Sequence, residues 1–291
     1  MLGANRSSEI GEISLKSHWL RLQLAAIVCF VIGCLLVISP AQAGYLGGYS
    51  GQIFYENFDD FRGDGLIQQP NARQLDSDRW RVTGLSEADG VFGGAYLSGD
   101  WTRGAATGSV ITGGVYAFQI GSESTENWAI GFQQTAGDLT PGTLTLRVVN
   151  ATTESVQAID VGFQVLFRNN ANRSSVVSID YGFNDRVYFG GLGGGWLSDA
   201  EAANAAQWVS HSYHQTISGF SLAPSEAFYL RWSFDDFGGN GSRDEIAIDN
   251  VSLDFQASAS PVPAPSAAGS LLLICGNFLL TRKRFHFSRA R

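Results

Sequence analysis

Between residues 50 and 256, apolar side chains return at every second position. In AIDVGFQVLF (158–167), Ile159, Val161, Phe163, Val165 and Phe167 share one parity, and Asp160, Gly162 and Gln164 the other. AFYLRWSF (227–234) repeats the pattern with Phe228, Leu230, Trp232 and Phe234 against Tyr229, Arg231 and Ser233. TLTLRVV (143–149), NWAIGFQQ (127–134) and SSVVSIDYGF (174–183) alternate in the same way. A period of two places one face of an antiparallel strand in a core and the other in water. Turn residues separate the runs at Pro141-Gly142, Asn169-Asn170 and Gly238-Gly239-Asn240-Gly241. Only the alanine-rich SDAEAANAAQ (198–207) predicts a short helix. Eight or nine half-buried strands predict an all-β protein. Its fold would be an antiparallel β-sandwich of jelly-roll, concanavalin-like form, one domain over 44–256. Near its end, Ile246 and Ile248 point one way, and Val251, Leu253 and Phe255 continue with the phase shifted. One extra residue at Asp249-Asn250 predicts a bulge there.

Two apolar runs break the alternation, one at each end. The first spans Leu22 to Ile38, is approached by Lys16 and Arg21, and closes on Ala41-Gln42-Ala43. Small residues at the −3 and −1 positions predict a signal peptide over 1–43, cut after Ala43; an uncleaved anchor helix is the competing reading. The second runs for fifteen residues from Ser266 to Leu280 and is followed by Arg282, Lys283 and Arg284. It is shorter than the ~20 residues a spanning helix needs, and its basic cluster would stay cytoplasmic. A Pro/Ser/Ala linker over 257–265 precedes it. The order Val262-Pro263-Ala264-Pro265, short apolar run, basic cluster resembles the PEP-CTERM sorting signal of Gram-negative, exopolysaccharide-producing bacteria. Ala264 stands where that family has glutamate, and seven residues follow the cluster. The resemblance implies that segment 266–291 sits transiently in the inner membrane as a short hydrophobic helix. A sorting peptidase would then release the protein to the cell envelope or matrix. Taken alone, the tail reads as a C-terminal anchor.

Composition narrows what the body can do. All three cysteines, Cys29, Cys34 and Cys275, lie in the apolar runs, so neither disulfides nor a thiolate zinc site are available to the domain. Residues 44–260 hold 25 acidic side chains against 11 arginines and no lysine, a formal charge of −14. Such a surface repels phosphate backbones and excludes nucleic acid as a partner. It suits either plain solubility or the gathering of divalent cations.

The ends of the domain are its most informative segments. FYENFDDF (54–61) opens it and RDEIAIDNVSLDF (243–255) closes it. The pairing resembles the jelly-roll carbohydrate-binding modules and the MAM domains, which open and close on segments of this kind. In the carbohydrate-binding relatives these acids help hold a structural calcium. The resemblance carries that role to Asp59 and Asp249, and Ca²⁺ takes carboxylate and carbonyl oxygens. The alternative is that both are turn or bulge residues bonding nearby N–H groups.

Other chemistry is sparse. Laminarinase-like hydrolases of sandwich fold alternate Glu, Asp and Glu on one strand face; here Ala247 stands between Glu245 and Asp249. Those two acids would lie ~13 Å apart along a strand, beyond the ~5–9.5 Å of a glycosidase pair. His211 and His214 are three apart and point to opposite faces of a strand, which excludes a shared metal. No Gly-x-Ser-x-Gly motif is present, and the glycine-rich GGLGGGW (190–196) reads as a loop. Trp101 and Trp196 sit among glycines outside the alternating strands, either to stack on sugar rings or to plug the ends of the sandwich. Trp128, Trp208 and Trp232 fall at strand positions and read as core. The expectation is an exported, non-catalytic protein that binds extracellular polysaccharide or cell-surface glycan. A hydrolase of the same fold and a purely structural matrix component are the alternatives.

Overall fold

The computed structural model describes residues 52–121, 126–190 and 192–257. The expected signal cleavage at Ala41 and Ala43 lies outside the described residues. So do the sorting motif Val262, Pro263 and Pro265 and the cluster Arg282, Lys283 and Arg284. Among the described residues no helix is long and apolar enough to cross a membrane.

The domain is all-β. Its strands are β1 (Gln52–Glu56), β2 (Phe61–Ile67), β3 (Arg73–Asp76), β4 (Trp80–Thr83), β5 (Ala105–Ala106), β6 (Gly114–Gln119), β7 (Trp128–Gln133) and β8 (Gly142–Val149). They continue with β9 (Val156–Arg168), β10 (Arg173–Asn184), β11 (Val187–Phe189), β12 (Gly195–Leu197), β13 (Trp208–Leu222), β14 (Ala227–Gly239) and β15 (Glu245–Ala257). A seven-stranded sheet runs β13-β9-β15-β7-β6-β5, with β1 also on β15; we call it sheet I. A six-stranded sheet II runs β11-β10-β14-β8-β4, with β12 also on β10. β2 and β3 form a short parallel pair. The expected strands are all present. The additional ones are mostly short, and β13 is an exposed edge strand, so neither kind carries a run of alternating apolar residues.

The alternation sets the layers. Ile159, Val161, Val165, Ile246 and Ile248 of sheet I face Leu144, Leu230, Trp232 and Phe234 of sheet II in one buried cluster. Aromatic rings lock the sheets together: Phe163 meets Trp232 edge-on at 5.3 Å, and Phe132 lies 4.6 Å from Phe234. Each such fully buried side chain stabilises by roughly 1.5–3 kcal/mol.

The bulge lies where the phase shift places it. Asp249 pairs with Gln164, yet Ser252 pairs with Gly162, so β15 carries one extra residue. Asn250 takes a left-handed φ of 51°, which Asn tolerates better than most residues. The bulge is also where β15 changes neighbour, from β7 at Ile246–Ile248 to β1 at Val251–Phe255. The helix expected over 198–207 is not formed. Its backbone bonds instead to the preceding β9–β10 turn: Ala203 N–H to Asn169 O, and Ala202 N–H to the Asn172 side chain. Alanine propensity is a weak preference that these tertiary hydrogen bonds override.

Candidate functional site

Three of the expected positions resolve as structure. Trp101, in a 3₁₀ turn over Gly99–Trp101, is only 3% exposed and stacks on Tyr96 at 4.1 Å. A Cβ on Gly90 would sit 2.6 Å from its ring, so the neighbouring glycine is there to admit the indole. Trp101 therefore plugs the domain and offers no face to a ligand, contrary to the sugar-stacking expectation. Trp196 is half-buried. Its strand places it on the side of Val177, where it meets Phe163 and Tyr213 edge-on, both at 5.6 Å. It closes the seam between the sheets. Trp232 is core, as expected; Trp208 is not, and lies on the outer face of sheet I against Phe118 at 5.0 Å.

Asp59 and Asp249 are brought to one corner by the β1–β15 pairing. Asp249 is fully buried, and its carboxyl is pushed up to about 7, chiefly by loss of water and further by the charges of Asp59 and Glu56. Burial likewise raises Glu56. A carboxylate in that state favours a cation. Both acids nevertheless already accept N–H donors. Asp249 takes Asn250 N–H at 2.7 Å and the Asn250 side-chain amide at 3.0 Å, while Asp59 takes Trp128 N–H at 3.2 Å and Asn57 Nδ2 at 2.6 Å. Among the described residues no three His, Cys, Asp or Glu side chains converge as a metal site requires. The donor set fits calcium in chemistry and only in part in number.

The acids weighed for hydrolysis are engaged elsewhere. Glu245 is fully buried, accepts Val110 N–H at 2.6 Å and pairs with Arg168 at 3.4 Å. His211 and His214 are exposed on β13, opposite Val165 and Gly162 and so on opposite faces of the sheet, and the His211 ring lies edge-on to Phe167.

The most organised polar surface is the outer face of sheet II, which residue-by-residue reading does not single out. Register places Arg81, Thr145, Arg231 and Asp180 in one row across β4, β8, β14 and β10. Arg147 and Tyr229 form the row on one side, and Thr83, Thr143, Ser233 and Ser178 a hydroxyl row on the other. A turn adds Phe92, and the edge strand β11 adds Tyr188. The Phe92, Tyr229 and Tyr188 rings follow one another at 6.0 and 6.5 Å. Arg81 and Arg147 both stack on Phe92 at 4.6 Å, and Arg231 covers Tyr188 at 3.7 Å. Every guanidinium has its counter-charge: Arg81 bonds Asp185 through two nitrogens at 2.5 and 2.7 Å, Arg231 bonds Asp180 at 2.9 Å, and Arg147 lies 3.9 Å from Asp78. Burial, with the Asp185 hydrogen bond, pushes the Tyr188 phenol up to about 12, and burial raises Tyr229. Both phenols thus stay protonated donors at neutral pH. The surface is aromatic, rich in hydrogen-bonding groups and locally close to neutral.

No protein-family model matches the chain, and no curated protein matches it. Solved structures that resemble it include the CBM22-1 xylan-binding domain of Paenibacillus barcinonensis Xyn10C, at 9% identity and a TM-score of 0.35 over 73% of this chain and all of that one. CBM28, a carbohydrate-binding module specific for non-crystalline cellulose, gives 9% identity and 0.32, over 68% and 97% of the two chains. The K1 cleaved adhesin domain of Lys-gingipain from Porphyromonas gingivalis W83 gives 13% and 0.35, over 72% and 100%. At these scores the likeness is one of general architecture, and function has to be read from this chain's own residues.

Proposed function

We propose that this is a non-catalytic glycan-binding protein whose ligand lies on the outer face of sheet II. The carrying observation is the row of Phe92, Tyr229 and Tyr188 beside arginines held flat by Asp185 and Asp180. Aromatic rings match the apolar C–H faces of sugars, and the fixed guanidinium, phenol and hydroxyl groups match their hydroxyls. Because each arginine is already neutralised and the body carries a large negative charge, the favoured ligand is a neutral polysaccharide rather than a uronate or sulfate polymer.

The test is affinity electrophoresis of the full-length chain in gels holding soluble xylan, galactomannan or the acidic alginate. Retardation by a neutral polymer, weakened about tenfold in Tyr229→Ala, is the expected result. No retardation by any of the three would return the protein to a purely structural role, retardation by alginate alone would overturn the neutral ligand, and retardation indifferent to Tyr229→Ala would move the ligand off sheet II.

The two ends of the sequence support export in the same proposal: a signal peptide, then a PEP-CTERM-like tail, delivering the domain to the envelope or exopolysaccharide matrix. Mass spectrometry of the protein from its host, expected to begin at Gly44, tests this. The calcium clamp enters in a narrow form, with Asp249 and Asp59 as the groups whose charge Ca²⁺ would neutralise. A melting midpoint unchanged between EDTA and millimolar calcium would assign that corner to its N–H donors alone.

A further inference from the structure

The outer face of sheet I carries a hollow, on the side of the sandwich opposite the proposed ligand face. Its volume is about 340 Å³, and its lining includes Thr107, Gln119, Arg168, Gln207 and Trp208. That size falls at the small end of ligand pockets.

The hollow is a built site. Trp208 opens β13 opposite Arg168 of β9, so register puts the indole beside the guanidinium on the outer face. Phe118 supports the indole from β6, and Trp208 Nε1–H reaches Thr107 O at 3.4 Å. Arg168 is fixed between the fully buried Glu245 and the Ser109 hydroxyl, at 3.4 and 2.6 Å. The loop that walls the hollow is held by Val110 N–H on Glu245, and at Gly108 (φ 109°) a Cβ would come within 2.8 Å of the Glu245 carboxylate. Beneath it lies a separate small apolar cluster of Tyr116, Phe118, Ala129, Leu166 and Ala247. A second core on the solvent face of a sheet is not needed to join the two sheets. Here it gives the tryptophan a rigid base.

We propose that this hollow is a second glycan-binding site, taking one or two neutral sugar residues, and that the protein therefore bridges separate polysaccharide chains. The chemistry repeats that of sheet II: an aromatic face, an arginine neutralised by a fixed acid, and amide groups from Gln119 and Gln207. The topology supplies the bridging. The two sites lie on the outward faces of sheets stacked ~10 Å apart, so one extended polymer cannot lie along both. A single-chain protein with two such sites links polymers and gains avidity from it. The bridging rests on the sheet II reading, whereas the hollow's own binding does not.

The experiment titrates full-length protein into soluble xylan and into galactomannan and follows turbidity, beside the gel retardation above. Bridging gives turbidity that peaks and then falls as excess protein occupies chains singly. Trp208→Ala is expected to abolish the peak while leaving gel retardation, and Tyr229→Ala is expected to abolish it too. Because Trp208 packs on Phe118, Gln207→Ala, whose side chain is exposed, serves as the variant without a folding cost; it should lower the peak severalfold. Retardation without turbidity at any ratio overturns the second site and leaves sheet II standing. A peak that neither Trp208→Ala nor Gln207→Ala changes overturns it as well. A wild-type dimer, seen by sedimentation without polymer and dissociated by Trp208→Ala, would replace bridging by self-association. Absence of all retardation overturns both sites, whereas retardation that Tyr229→Ala leaves unchanged while Trp208→Ala weakens it is the failure of the sheet II reading alone.

Discussion

Replacing Glu245 separates a structural acid from a catalytic one. The carboxylate is fully buried, accepts Val110 N–H at 2.6 Å and pairs with Arg168, whose side chain is 18% exposed. Removing one partner of a buried pair costs about 3–5 kcal/mol because the other charge is left uncompensated. The partial exposure of Arg168 lets water recover some of that, which points to the lower end. The orphaned Val110 N–H adds about 1 kcal/mol. Glu245→Ala should therefore destabilise the domain by about 4 kcal/mol. Glu245→Gln keeps an acceptor for Val110 but still leaves the Arg168 charge uncompensated, so it spares only the N–H contribution and should cost about 3 kcal/mol. With a urea m-value of about 3 kcal/mol/M, the unfolding midpoint should fall by about 1.3 M and about 1 M respectively. Tryptophan fluorescence of the full-length protein in urea reads both. If Glu245→Ala leaves the midpoint within about 0.3 M of wild type, the pair does not anchor the 108–110 loop. If a polysaccharide-cleaving activity disappears in Glu245→Gln while stability is kept, the hydrolase reading returns.

Two further outcomes test other parts of the molecule. With EDTA present, Asp249 holds its proton in the folded state to about pH 7, whereas the unfolded chain releases it near 4. The unfolded state thus binds fewer protons between those values, and stability is lost as pH rises from about 4 to 7, by roughly 2–4 kcal/mol. Asp249→Asn should flatten that slope, and a slope unchanged in the variant would refute the assignment. Trp101→Ala should lower stability by about 3–5 kcal/mol, as loss of a buried tryptophan does. Retardation by neutral polysaccharide should persist, since the indole is enclosed; a folded Trp101→Ala that no longer binds would favour the stacking alternative.

How far the sequence went can be seen in particular residues. Strand identity and inward faces were legible because a sheet with one dry side imposes a period of two, as in Ile159 to Phe167 and Phe228 to Phe234. The bulge was legible because one extra residue inverts parity, which shows as the step from Ile248 to Val251. The glycines around Trp101 leave stacking and plugging equally open in the sequence, and only the structure, where Gly90 makes room for the buried ring, decides for the plug. Trp208 misled, since alternation reports that a residue is on a strand without telling which side of the sheet is covered.

The sequence by itself determined an acidic, cysteine-free β-sandwich, its strand faces and the position of the bulge at Asp249-Asn250, because those depend on neighbours two or three residues away. Only the tertiary structure decided where a ligand can lie. Arg81, Phe92, Arg147, Tyr188, Tyr229 and Arg231 come from five separate stretches of chain, and it is the pairing of β4, β8, β14 and β10 that sets them side by side. Strand pairing between distant segments is fixed by the packing of the whole core, and no local spacing records it.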